Sequence, residues 1–302
     1  MLMLWNALVQ AVVAVRVWAS IALPSSLAWQ SVASNGNIVV AINSTTDQAA
    51  RSIDGGLTYS LINLPSSQAW FCVGSNGPNF VAVGVDGTVT LAARSADSGA
   101  SWNAINLAGS AQFYRSVAAS ATAFVIVSDN VNQGLRSGNN GLSWAAVTLP
   151  AAAAWRSLAC NVTTFIAVAQ GTNQGARSTD DGLNWLAITL PTSANWLSVD
   201  RNGTTFVAIA QNTNQAARST DNGATWAAIT LPAASDWRAI AANGTTWIAV
   251  AFGTNQGAIS TDDGATWAAT TLPLSASWRG IGINGTAFIA VANGTNQSAR
   301  FA

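Results

Sequence analysis

The chain has 302 residues, of which half are hydrophobic and 8% are charged, against roughly a quarter charged in an average globular domain. The charged set is twelve Arg and twelve Asp, with no Lys, Glu or His, for a net charge of zero. No basic stripe exists to displace counterions from phosphates, which excludes nucleic acid as a partner and disfavours an electrostatic membrane-surface role. The usual general acids and bases are reduced to Asp.

Residues 1–17, MLMLWNALVQAVVAVRV, are apolar, with no charge before Arg16. They lack the basic start of a signal peptide and are short for a membrane span. We read them as a docking or assembly segment that buries its apolar side on a partner chain or on the rest of this one. The next stretch, WASIALP (18–24), reads like the last strand of a later repeat with nothing before it.

From there the chain repeats itself. Copies start at Trp29, Trp70, Tyr114, Trp155, Trp196, Trp237 and Trp278, each 41 residues after the last except Tyr114, which follows Trp70 by 44. The copy at Trp155 predicts four strands. They are WRSLA, then TFIAVA after a tight turn, then GARS after a TNQ loop, then WLAITL ending at a Pro. The final copy stops at Arg300-Phe301-Ala302, in its third strand. Residues 18–23 therefore supply its missing fourth strand. Four strands in about 40 residues is the length of a propeller blade. The expectation is an all-β fold over residues 18–302: a seven-bladed β-propeller of four-stranded antiparallel blades, with an N-terminal strand closing the last blade.

The link between third and fourth strands reads SIDGGLTY (52–59), SADSGASW (95–102), SGNNGLSW (137–144), STDDGLNW (178–185), STDNGATW (219–226) and STDDGATW (260–267). This resembles the Asp-box, or BNR, repeat, Ser-x-Asp-x-Gly-x-x-Trp, found in sialidase-like propellers and in phage tail and virion-associated propellers. The Asp accepts turn amides, the Gly permits a positive φ and the Trp packs into the sheet. The resemblance implies that Asp54, Asp97, Asn139, Asp180, Asp221 and Asp262 hold the fold, away from any binding face. Asn139 departs from the motif but makes the same short turn bonds. Twelve of the fourteen Trp and both Tyr occupy the box slot or the first-strand slot, which reads as core.

The sialidase template implies an arginine triad, a Tyr nucleophile activated by Glu, and an Asp acid. It does not carry over: the chain has no Glu, and Tyr59 and Tyr114 occupy repeat slots. A two-carboxylate glycosidase would have to draw on Asp47, Asp86, Asp129, Asp200 and Asp236. No nucleophile elbow, phosphate loop or metal-ligand spacing appears. No catalytic residue, metal or cofactor is assigned. Cys72 and Cys160 stand at unequal repeat positions and read as separate apolar thiols.

Two sets of side chains are candidate binding residues. Amides recur in the loop before the third strand: Gln48 beside Asp47, then Asn132-Gln133, Asn173-Gln174, Asn214-Gln215, Asn255-Gln256 and Asn296-Gln297. They suit hydroxyl-rich ligands, or cap the loops. Arg115, Arg156, Arg238 and Arg279 follow the first-strand aromatic and either pair between repeats or reach a central channel to hold an anionic group. Arg51, Arg94, Arg136, Arg177, Arg218 and Arg300 end the third strand and read as structural.

The expected function is a non-enzymatic recognition or structural module on a virion surface or outside the cell. Its expected partners are a glycan or cell-surface receptor, and other virion or surface proteins through residues 1–17; a homo-oligomer stays open. The alternatives are an Asp-based glycoside hydrolase and a purely architectural virion or surface-layer component.

Overall fold

The computed structural model describes residues 16–86, 89–107 and 113–302. The docking segment read over residues 1–17 thus lies outside the described residues except for Arg16 and Val17. Every regular element among the described residues is a strand.

The copy beginning at Trp196 shows how the repeat folds. Its first strand pairs antiparallel with Thr205–Ala210, which pairs with Thr213–Ser219, which pairs with Ala227–Ser235. The run TFVAIA is apolar throughout because it is buried on both faces. Strand side chains alternate. Phe206, Ala208 and Ala210 therefore pack with Ile166 and Val168 of the preceding copy, while Val207 and Ile209 pack with Trp237 and Trp247 of the next. The core lies between successive copies, so no copy can bury its apolar faces alone.

Two sequence expectations change. The fourth strand does not end at its Pro. Ala145–Asn161, Leu186–Asn202 and Ala268–Ile283 each run through the Pro into the next copy's first strand. The register skips there: Gln174 pairs with Thr189 and Thr172 with Ala194, so Pro191 falls where no ladder hydrogen bond is needed. The TNQ stretch is likewise a bulge rather than a break in Phe124–Ser137, Thr164–Ser178 and Phe288–Phe301. Where the stretch begins with Thr, its hydroxyl accepts a backbone N–H two residues on, as Thr172 does from Gln174 at 3.3 Å.

The chain ends meet. Trp18, Ala19, Ser20, Ile21 and Ala22 pair antiparallel with Phe301, Arg300, Ala299, Ser298 and Gln297. The first and last copies also touch at their first strands, where the Ser34 hydroxyl donates to the Ile283 carbonyl. A Cβ on Gly280 would lie 3.0 Å from the Gln30 carbonyl oxygen, so the two strands approach closely there. Ile289 and Val291 share a cluster with Trp29 and Val39.

The box turns rivet each copy to the one before it. In the box at 219–226, Asp221 accepts the Ser219 hydroxyl at 2.7 Å, and the Thr225 amide and hydroxyl at 2.9 and 2.6 Å. The Ser219 hydroxyl in turn takes the Gly223 N–H at 2.9 Å. Two consecutive residues, Asn222 and Gly223, hold φ of 59° and 75°. The second must be Gly, because a Cβ there would sit 2.2 Å from Ile166 of the preceding copy. The Asn222 carbonyl is thereby turned towards that copy, where Arg177 donates to it at 2.7 Å. The same bond joins Arg51 to Ser98, Arg136 to Asp181, Arg218 to Asp263, and Arg300 to Gly55.

Candidate functional site

The first strands enclose a channel, and one residue per copy governs its mouth. The residue after each first-strand aromatic is the extra residue of a β-bulge. Trp155 pairs with Ala169 and Ser157 with Val168, leaving Arg156 without a ladder partner. A bulge re-aims its extra side chain. Gln30, Phe71, Arg115, Arg156, Leu197, Arg238 and Arg279 accordingly converge, with Gln170 and Gln211, on a cavity of about 370 Å³. It adjoins a channel of about 600 Å³ that continues past Ser31, Cys72, Ser116, Ser157 and Ser198. Those residues stitch neighbouring first strands. The Ser157 hydroxyl accepts the Val199 N–H at 3.1 Å, and Cys72 Sγ takes the Val117 N–H at 3.4 Å in the place of a serine oxygen.

The four mouth arginines form two sectors. Arg115 and Arg156 share one carboxylate oxygen of Asp129, at 3.2 and 2.9 Å, and Arg156 Nε also donates to Gln170 at 2.7 Å. In the other sector Arg238 meets Asp236 at 2.7 Å. Arg279 makes no ion pair among the described residues, and its Nε is buried without a partner. Aromatic faces back three of the guanidiniums: Arg115 over Phe71 at 4.9 Å, and Arg238 and Arg279 over Phe252 at 5.1 and 4.6 Å. Burial holds the Arg279 pKa below the usual arginine value, and the neighbouring Arg238 lowers it further. Burial also lowers Arg156, against the pull of Asp129. An anion entering here would stabilise both charges.

The structure separates the two candidate sets. None of the amide-pair residues, from Gln48 to Gln297, lines the mouth or the channel. They stand where the third strand begins: Gln215 Oε1 accepts the Thr192 hydroxyl, and Gln297 Oε1 the Ser20 hydroxyl. Asp54, Asp97, Asn139, Asp180, Asp221 and Asp262 each hold their own turn. Sequence reading missed Asp129, Asp236, Gln170 and Phe252 as partners of the arginines. A signal existed: Asp129, Gln170 and Phe252 all stand fifteen residues after the first-strand aromatic of their copies.

No family model matches the chain, and no curated protein matches it. Solved structures do. YCF48 bound to D1 peptide superposes with a TM-score of 0.74 at 17% identity, over 94% of each chain. Virginiamycin B lyase from Staphylococcus aureus gives 0.80 at 13% identity, over 95% of this chain and 99% of that one. U3-55K gives 0.75 at 9%, over 94% and 98%. The fold is a β-propeller. At such identities the likeness carries the propeller architecture alone. The architecture brings a residue that recurs once per copy to the same place on successive copies, and the mouth residues are one such set.

Proposed function

We propose that the propeller closes as a ring of seven blades, held by Asp-box turns on one face, and acts as a non-enzymatic recognition module. Its ligand site is the arginine-lined mouth, and the ligand is a glycan on a cell surface, met by the protein outside the cell or on a virion. The observation that carries this reading is the convergence of Arg115, Arg156, Arg238 and Arg279 on one cavity that holds too few carboxylates to neutralise them. Gln30, Gln170 and Gln211 add neutral amides beside the charges, able to donate to and accept from hydroxyls. Recognition without catalysis is supported by the commitments of the carboxylates outside the boxes. Asp129 holds two arginines, Asp236 holds one, and Asp200 accepts the Ala242 N–H at 2.8 Å.

An architectural role draws support from a different face. Leu57, Leu142 and Leu183 stand more than half exposed in the box turns, where they would suit contact with another protein. Glycan-array binding combined with a turnover assay tests the leading reading. It expects captured glycans and no released sugar. Released sugar would favour the hydrolase, and an array without a hit would leave the architectural role.

A further inference from the structure

We infer that the mouth reads an acidic sugar chain by two carboxylates, one seated at Arg115 and Arg156 and the other at Arg238 and Arg279. This rests on the glycan reading above and names the class of glycan. In a chain of near-identical copies, the bulged mouth position departs from the repeat. Box and third-strand residues recur almost unchanged, but the mouth ring holds four arginines, one glutamine, one phenylalanine and one leucine. Unequal side chains at the mouth would favour one orientation of a ligand with no rotational symmetry. The arginines fall in adjacent copies, two and two, separated by Leu197 on one side and by Gln30 and Phe71 on the other.

Each sector sets two guanidiniums against one carboxylate, leaving one uncompensated positive charge. The match is therefore to two separate single anions rather than to one concentrated charge such as a phosphate. Aromatic rings lie against three of the guanidiniums, and the N–H groups not spent on Asp129, Asp236 or Gln170 remain to take a carboxylate. Arg279 is the stronger anchor, since it makes no ion pair among the described residues. Between the sectors the lining is two amides, Gln30 and Gln211, and two apolar side chains, Phe71, which lies against Arg115, and Leu197. Sugar hydroxyls find partners at the two amides.

Calorimetric titration of the full chain with trigalacturonate, monogalacturonate, neutral maltotriose and a tetra-aspartate peptide tests the proposal. Trigalacturonate should bind at least about tenfold tighter than the other three, and more weakly as salt rises. Arg279→Gln and Arg156→Gln should each lower that affinity by about 10- to 100-fold, the loss of a charge-assisted hydrogen bond, with Arg279→Lys falling between. If a variant fails to fold, the salt series on the unaltered chain carries the test. Equal binding of maltotriose, or monogalacturonate as tight as trigalacturonate, would overturn the two-carboxylate inference and leave the glycan reading standing. Preference for the peptide would also overturn it. Failure of every glycan on an array would instead remove the reading beneath it.

Discussion

Arg218 donates its Nε–H to the backbone carbonyl of Asp263 at 2.8 Å, forty-five residues on and in the next copy, while its Nη2 meets the carboxylate of the same residue at 3.3 Å. The bond explains one irregularity of the repeat. Ile259 stands where the copy at Trp237 would place this arginine. Among the described residues no box turn of the next copy, at Trp278, stands ready to receive it; Trp18 pairs with Phe301 there instead. With no outward carbonyl to receive it, a guanidinium there would be desolvated without a partner. Arg218→Ala should cost about 1.5–3 kcal/mol and lower Tm by roughly 3–10 °C. Ile259→Arg should give no gain, though it restores the repeat. A thermal denaturation series on the two variants checks both, and a stabilised Ile259→Arg would refute the explanation.

The box carboxylates set the acid limit of the fold. For Asp97, burial pushes the pKa up, but the Ser101 hydroxyl and amide and the Ser95 hydroxyl outweigh it, and the value falls from 3.8 to about 2. Asp221 falls to about 2 in the same contest, with Thr225 and Ser219 as donors. A pKa depressed by folding contributes stability that is full above the unfolded value and is lost as pH falls through the folded one. Stability should therefore hold above about pH 4 and fall steeply between 3.8 and about 2. Asn139 already occupies one box and keeps its turn, accepting the Ser143 N–H at 2.9 Å and donating to the Ser143 hydroxyl at 2.8 Å. Asp221→Asn should fold at pH 7 and shallow the acid transition, as read by circular dichroism against pH.

The thiols should be inert in the native state. Burial raises the Cys72 pKa, and raises Cys160 to about 12. Neither cysteine is bonded to the other. Cys72 does the work that Ser31, Ser116, Ser157 and Ser198 do elsewhere. Iodoacetamide at pH 8 should label neither thiol appreciably until denaturant is added, and Cys72→Ser should melt within a few degrees of the parent, since a serine oxygen already serves that position in four other copies. Rapid native labelling at Cys72 would show that the channel admits the reagent to its Sγ.

The repeat was legible because its signals are local. Asp221, Gly223 and Trp226 state a turn within eight residues, and Trp18 and Phe301 complete each other as text. The mouth was half legible. Arg115, Arg156, Arg238 and Arg279 stood out as charges in a neutral chain, but the bulge that aims them has no residue signature of its own. Asp129 stood only among the carboxylates outside the boxes, because its pairing with two arginines of successive copies is a contact between copies that spacing alone does not show. The amide pairs were legible as a recurrence but lie away from the mouth, in a stretch where the Thr172 hydroxyl accepts the Gln174 backbone N–H.

The pairing of Trp18 with Phe301 sets how firmly the last copy is held. The two rings lie 5.2 Å apart, the strands run antiparallel through Ala22 and Gln297, and the Ser20 hydroxyl donates to Gln297 at 3.1 Å. Without residues 18–22 the edge of Phe288–Phe301 would expose unpaired backbone, Phe301 would lose its cover, and the shared sheet between the last copy and the first would be reduced to the pairs Leu27–Thr295 and Ala28–Asn293. Two truncations separate this contribution from that of the segment before it. Removing residues 1–15 leaves the strand in place and should change Tm by no more than a few degrees. Removing residues 1–22 should lower Tm by more than about 10 °C, the loss of several backbone hydrogen bonds and one large aromatic contact. It should also promote association through the opened edge, seen as a concentration-dependent rise in apparent mass. Equal melting of the two truncations would mean that the contacts of Ser34 with Ile283 and of Gly280 with Gln30 hold the ends together without the shared strand.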